Sequence, residues 1–328
     1  MQIDNALFEY ARQTLPEWSL DGAQLEPISV SENVAFRVIK DGKSYVLRIH
    51  RSWYHTREEL ESELIWTSAL RASGIDVPEP LMTKTGEGFV TRTLPGTDET
   101  RNIGVLKWVD GDILDDVIRR DASDTDTLCR YFGQLGAIAA SIHTHASEWN
   151  VPANFKRHAF DADGLVGDQP FWGRFWELPQ LKPEQSDLML KARDVIANTL
   201  DRYGKPKETY SMIHADLHMH NLVLSSHGLH IIDFDDAGFG WHHFDLAVAL
   251  HEYLQHKEFS LIVAALLDGY RNHRSFDSEA EALIPLFLLI RSLMGLGWIH
   301  QRPELGREKY IPKMIENACR HTEHFLGT

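Results

Sequence analysis

Between His214 and Gly238 the chain reads HADLHMHNLVLSSHGLHIIDFDDAG, five histidines and four aspartates set among apolar residues of strand character. Two kinds of chemistry would use these residue types. In the first, His214, Asp216, His218 and His220 ligate a metal and Asp233 bridges it. Alternate residues of a strand share a face, so His-x-Asp-x-His could converge on one ion, as in a metal-dependent hydrolase. In the second, the histidines only position a loop, and the chemistry lies in Asp216, Asn221 and Asp233. Asp216 and Asn221 are five apart, and Asp233 follows after LVLSSHGLHII, directly before Phe234. Base, metal ligand, strand turn, metal ligand is the order that phosphoryl transfer uses. An acceptor hydroxyl needs a carboxylate within hydrogen-bond reach to orient it and take its proton. Mg²⁺ prefers hard oxygen donors and keeps several waters, so one amide oxygen and one carboxylate suffice.

The elements that must position these residues can be read from periodicity. Residues 3–14 predict a short helix, and VAFRVIK-DG-KSYVLRIH predicts a hairpin turning at Asp41-Gly42. That hairpin disposes of GKS at 42–44 as a phosphate loop: position 37 is arginine where glycine is needed, and no helix follows. Residues 56–74 predict a helix with Thr56 as N-cap and Gly74 at its end. VPEPLMTKTGEGFVTRTL and NIGVLKWVDG predict further strands. Beyond Gly111 the pattern turns helical over 112–145, 183–203 and 243 to the end, with an aromatic, irregular stretch at 150–180. The expected class is α+β, a small β-rich lobe with one main helix (1–108) followed by a larger, mostly helical lobe (109–328), with a hinge at 106–111.

The quoted stretch resembles the aminoglycoside phosphotransferase superfamily, which has a protein-kinase-like fold and includes aminoglycoside kinases, choline kinases, type II homoserine kinases and a bacterial stress response Ser/Thr kinase. IHADLHMHNLVL is similar to its catalytic loop, His-x-Asp-x-x-x-x-Asn, and IIDFDDAG to its metal-binding segment. The resemblance spans residues 25–275. It implies that Asp216 is the catalytic base, that Asn221 and Asp233 hold Mg²⁺, that His214 shapes the loop, and that Asp245 in HFDLAVAL braces it. YVLRIHR, the glutamate-rich helix after it and VPEP look close to the branch holding the stress response and homoserine kinases.

In such a fold a strand cation holds the α/β-phosphates of ATP and a helix carboxylate holds the cation. Glu63 shares a helical stripe with Leu60, Leu64 and Thr67 and is the candidate carboxylate, with Glu59 one turn earlier as runner-up. The strand position is Arg48, where the resembling kinases carry lysine; arginine grips phosphate oxygens with two parallel donors and is not a neutral exchange. No G-x-G-x-x-G precedes it. SVSENVAFRV stands there instead, so Ser31, Glu32 and Asn33 are expected to cover the phosphates. Backbone groups of Lys107 to Val109 would meet the adenine edge, with Trp108 either a wall beside it or core.

The acceptor is expected to be a hydroxyl of a small, amino-bearing molecule, or a protein serine or threonine. Phe155, Phe160, Phe171, Trp172, Phe175 and Trp176 would form an aromatic lid over it, or pack their segment onto the lobe. A net charge of −15 suits a cationic acceptor and argues against nucleic acid as partner. Two lone cysteines, Cys129 and Cys319, offer neither a disulfide framework nor a thiolate zinc site. The opening MQIDNALFEY lacks signal-peptide character, and the apolar run Leu283 to Ile299 is broken by Pro285 and Arg291. A cytoplasmic enzyme with no membrane partner is the expectation.

Overall fold

The computed structural model describes residues 5–30, 33–121 and 124–327. Ser31 and Glu32 of the expected phosphate cover lie outside the described residues. The chain divides into two compact units, one of Met1–Gly111 with Val151–Lys156 and Ser225–Asp235, the other of Asp112–Asn150, Arg157–Leu224 and Asp236–Thr328. The chain thus divides after Gly111, and two short later segments, one carrying Asp233, cluster with the first unit.

The first unit contains helix α1 (Asn5–Thr14), strands β1 (Gln24–Val30), β2 (Val34–Lys40) and β3 (Lys43–Ile49), helix α2 (Arg57–Ala72), and strands β4 (Phe89–Thr93) and β5 (Thr100–Lys107). The strands form an antiparallel sheet in the order β1-β2-β3-β5-β4. Asp41 and Gly42 both have positive φ, 50° and 74°, the twist a two-residue hairpin needs. Alternation then sends Phe36, Val38, Leu47 and Ile49 into a core closed by Tyr10 and Ala11 of α1. The opposite side of β3 carries Val46 and Arg48, with His50 next in line.

Helix α2 starts at a capping box, in which the Thr56 side chain accepts from Glu59 N–H and Glu59 reaches back to Thr56 N–H. Leu60, Glu63, Trp66, Thr67 and Leu70 form its buried face. Of the stretch 77–94 expected to supply strand, Phe89–Thr93 forms β4, and the part before it makes one bridge, Pro80 to Leu106, because Pro78 and Pro80 cannot donate to a ladder.

The second unit begins with β6 (Asp112–Ile113), α3 (Leu114–Arg120) and α4 (Thr125–Glu148). The helical pattern expected over 112–145 is carried by these two helices, and Asp124 caps the second by accepting from Thr127 N–H at 2.7 Å. Then come β7 (Ala159–Phe160), α5 (Ala162–Val166), α6 (Pro183–Tyr203), β8 (Tyr210–Ile213) and β9 (Leu222–Ser225). β10 (Gly228–Ile231) belongs to the first unit. β11 (Gly238–Trp241), α7 (His242–His251), α8 (Phe259–Arg271), α9 (Ser278–Glu281), α10 (Ile284–His300) and α11 (Ile311–Leu326) complete the chain. β11 runs parallel to β7 and antiparallel to β8, and β6 pairs with β9.

Helices α4 and α8 cross closely: a Cβ on Gly136 would stand 2.0 Å from Leu266 O, and one on Gly269 1.9 Å from Gly133 O. Ser278–His300 is long and apolar enough by composition to cross a membrane. Its helix α10 is nevertheless buried along Leu286–Ile290, Ser292–Met294 and Leu296–Gly297, and packs on α7 and α11 as a core helix does. In the 155–178 segment Phe160, Trp172 and Phe175 are buried, and Phe160 packs against both Trp172 and Phe244, so these rings hold their segment down.

Candidate active site

In the second unit β8 ends at Ile213, paired with Gly238, and the chain turns sharply into the His-x-Asp loop. Asp245, fully buried on α7, dictates that turn. Its Oδ2 accepts from His214 N–H at 3.0 Å, its Oδ1 from Ala215 N–H at 2.7 Å, and His143 Nε2 lies 3.0 Å from Oδ2. Ala215 is held at φ 65°, a left-handed conformation that a non-glycine residue keeps only when its surroundings impose it. The buried ring of His214 shapes the loop further: its Nδ1 accepts from Asp216 N–H at 3.3 Å.

These constraints present Asp216. Its Oδ2 accepts from Asn221 Nδ2 at 2.9 Å and lies 3.1 Å from His218 Nε2; Arg291 Nη2 stands 3.4 Å from Oδ1. Burial would raise its pKa, but His218, Arg291 and His214 outweigh burial and hold the carboxyl well below its usual range. Burial likewise works against a charged His218, and Asp216 outweighs it and raises the pKa of that imidazole. Asn221 Nδ2 also donates to Asp216 O at 2.9 Å, which leaves its amide oxygen for another partner.

The histidines do not converge. His214 faces the loop interior and His218 faces Asp216. His220 lies between Asp115, 3.4 Å from Nδ1, and Glu252, 3.5 Å from Nε2. A hydrogen bond donated by His220 to Glu252 leads the causes that raise the pKa of this imidazole. Among the described residues of this unit, the one group with metal-ligand spacing is Asp115, His220 and Glu252, without His214 or Asp216.

In the first unit Arg48 differs from expectation. Its hydrogen bond goes to Asp233 rather than to Glu63, with Nη2 2.7 Å from Asp233 Oδ1 and Nη1 3.8 Å from Asp235 Oδ1. Glu63 is buried and acts on Arg48 at longer range, and both residues line a recess of about 10 Å³. Burial opposes the Arg48 charge, but Asp233, Asp235 and Glu63 together raise its pKa further. Asp233 sits at φ 64°, again left-handed.

Asn33 does not present its side chain to a phosphate. Nδ2 donates to Asp235 Oδ2 at 2.9 Å and Oδ1 accepts from Arg51 N–H at 3.2 Å. Of the backbone groups expected at an adenine edge, Lys107 N–H donates to Glu79 O and Trp108 N–H to Ser44 O, and Val109 N–H has no protein acceptor among the described residues. Trp108 is half-buried, neither core nor open wall, with the Arg37 guanidinium 4.5 Å above its ring.

The sequence reading assigns no role to Asp235 and takes Arg291 only as a break in an apolar run, yet both carry a signal. Asp235 is the buried node of the first unit, where Arg48, His50, Arg51 and Asn33 meet. The succession Arg48, His50, Arg51 along one strand and its exit already called for an anion. Arg291 lies in the most apolar helix of the chain, and an arginine there needs a partner.

A loop turned at left-handed Ala215 and anchored by buried Asp245 thus sets Asp216 beside Asn221, five residues on. The chain belongs to the phosphotransferase enzyme family, whose model matches residues 24–282. It is a kinase, with an α+β, protein-kinase-like fold. It is similar to a microcompartment-associated aminopropanol kinase, with 29% identity, 98% of each chain covered and a TM-score of 0.84. Amicoumacin kinase of Bacillus subtilis (strain 168) is 25% identical over 297 residues, 86% of this chain and 82% of that protein. The structure of a spectinomycin phosphotransferase with ADP and spectinomycin, at 14% identity and a TM-score of 0.61 over 97% of this chain and 93% of that one, shares the fold.

Proposed function

We propose that this kinase moves the γ-phosphoryl group of Mg-ATP to a hydroxyl of a small amino alcohol. The observation that carries this is Asp216, ionised, with Oδ2 fixed by Asn221 and His218 and Oδ1 open to an acceptor apart from a long contact to Arg291. The acceptor O–H donates to Oδ1 and its oxygen bonds to the γ-phosphorus. The bond from phosphorus to the β-bridging oxygen breaks, ADP leaves, and the proton passes to Asp216. The amide oxygen of Asn221 and the carboxylate of Asp233 are each hard donors of the kind that would suit Mg²⁺. When bound, the ion would neutralise charge on the phosphates. Arg48 would hold the α/β-phosphates, kept charged by Asp233, Asp235 and Glu63, and Val109 N–H would meet the adenine edge. The acceptor class is supported by the relative that phosphorylates aminopropanol.

The test is incubation with Mg-ATP and 1-amino-2-propanol, ethanolamine, choline, homoserine or an aminoglycoside, with mass spectrometry of the products. A phosphorylated amino alcohol formed by the wild type and not by Asp216→Asn is the expected result. Phosphorylation of added protein with none of these small acceptors would replace this reading with a Ser/Thr protein kinase. ATP turnover unchanged in Asp216→Asn would end it.

A further inference from the structure

Arg291 contacts Asp216 but is assigned no step of the transfer above, and its placement is unusual. It projects from α10, where Leu289, Ile290, Ser292 and Leu293 are buried around it. Its side chain is only 19% exposed, and its guanidinium lies 4.8 Å from the ring centroid of the buried Trp172. Of the five N–H donors on a guanidinium, it spends a single long hydrogen bond on protein among the described residues, the 3.4 Å contact to Asp216 Oδ1. The guanidinium is partly enclosed yet only loosely held by protein, so its remaining donors are available to a group that arrives later.

We propose that Arg291 is a positioning residue for phosphoryl transfer: stacked on Trp172, it holds the outward oxygen of Asp216 toward the acceptor hydroxyl. The inference rests on the base role proposed for Asp216. Oδ2 is already fixed by Asn221 and His218, so one further contact at Oδ1 sets the rotation of the whole carboxylate. At 3.4 Å that contact is looser than the 2.7–2.9 Å usual for charge-assisted pairs, and it leaves room for an O–H to reach the same oxygen. The positive charge also offsets that of Asp216 at a place where a polyanionic nucleotide must approach. The aromatic segment thereby gains a role for Trp172, as the platform that aims Arg291.

The experiment measures ADP release by the full-length protein, with water and with 1-amino-2-propanol as acceptor, in wild type, Arg291→Lys, Arg291→Ala and Asp216→Asn. A positioned base contributes about 10²–10⁴-fold, so losing its orientation should lower kcat about 10- to 100-fold in the alanine variant. KM for Mg-ATP should stay within about twofold, lysine should fall between wild type and alanine, and methylguanidinium should restore part of the alanine variant's rate. If the alanine variant does not fold, Arg291→Gln, which keeps a polar donor and part of the aliphatic stem but not the charge, should show the same loss of kcat. Wild-type kcat in a folded variant would overturn the inference. So would a loss that lysine and methylguanidinium leave unrelieved. Asp216→Asn separates the two levels: if it is inactive and the Arg291 variants are not impaired, the inference alone fails; if it is fully active, the base assignment fails.

Discussion

Arg48 carries the charge balance of the smaller unit. Asp233, Asp235 and Glu63 all act on it, and two of these carboxylates, Asp235 and Glu63, are buried. Removing one member of such a group leaves the others uncompensated, which costs about 3–5 kcal/mol for a fully buried pair. Asp233 is 42% exposed and screened by solvent, so Arg48→Met should cost about 3 kcal/mol, read as a lower urea midpoint. Arg48→Lys keeps the charge and should recover most of that loss. The same contact bears on metal binding. Asp233 Oδ1 accepts from Arg48, so a cation at Asp233 would share that carboxylate with the guanidinium. Asp233→Ala should therefore weaken Mg-ATP binding, checked by thermal shift with and without Mg²⁺. An affinity for ATP that ignores Mg²⁺ in the wild type would contradict this.

At the scale of elements, α7 and the α4–α8 pair do different work. Asp245 on α7 receives two backbone N–H groups and His143, so the geometry of the His-x-Asp loop hangs on one carboxylate. Asp245→Ala should cost about 1–3 kcal/mol for each orphaned donor and should lower kcat more than it raises KM for Mg-ATP. A stable variant with full kcat would show that the loop holds its shape without the anchor. The α4–α8 crossing instead supports the unit. With a Cβ on Gly269 only 1.9 Å from Gly133 O, Gly269→Val forces the helices apart. A loss of about 1–3 kcal/mol should follow, with the remaining folded protein active.

For the whole molecule, buried neutral imidazoles set the response to acid. Burial lowers the pKa of His143 and of His242, which stack at 4.1 Å between ring centroids. It pushes His243 down to about 4 and His251 down to about 3. An unfolded histidine titrates near 6.5, so below that pH the unfolded chain binds protons that these sites refuse. The contribution of these four sites is full above about pH 6.5 and declines as the pH falls toward 4, by up to about 3 kcal/mol for His243 alone. Against it stands the opposite and smaller group of His218 and His220, whose raised pKa values favour the folded state at lower pH. The urea midpoint should drop between pH 7 and pH 5, and His243→Gln should flatten that slope. A midpoint insensitive to pH over this range would mean that these histidines are not held neutral.

Some of this was determined by the sequence alone. The spacing of Asp216, Asn221 and Asp233, the Asp41-Gly42 hairpin and the Thr56 cap are local statements, because turn chemistry, capping and periodicity act within a few residues. The β-rich and helical halves followed from the same local patterns. Tertiary structure alone decided the partners. Arg48 pairs with Asp233, 185 positions away, in preference to Glu63; Asn33 turns to Asp235; Arg291 reaches Asp216 across 75 positions; His220 leaves the other histidines for Asp115 and Glu252. A charge buried by folding takes whichever counter-charge the packed backbone brings within reach, and that choice depends on how strands and helices meet rather than on any neighbour in the sequence.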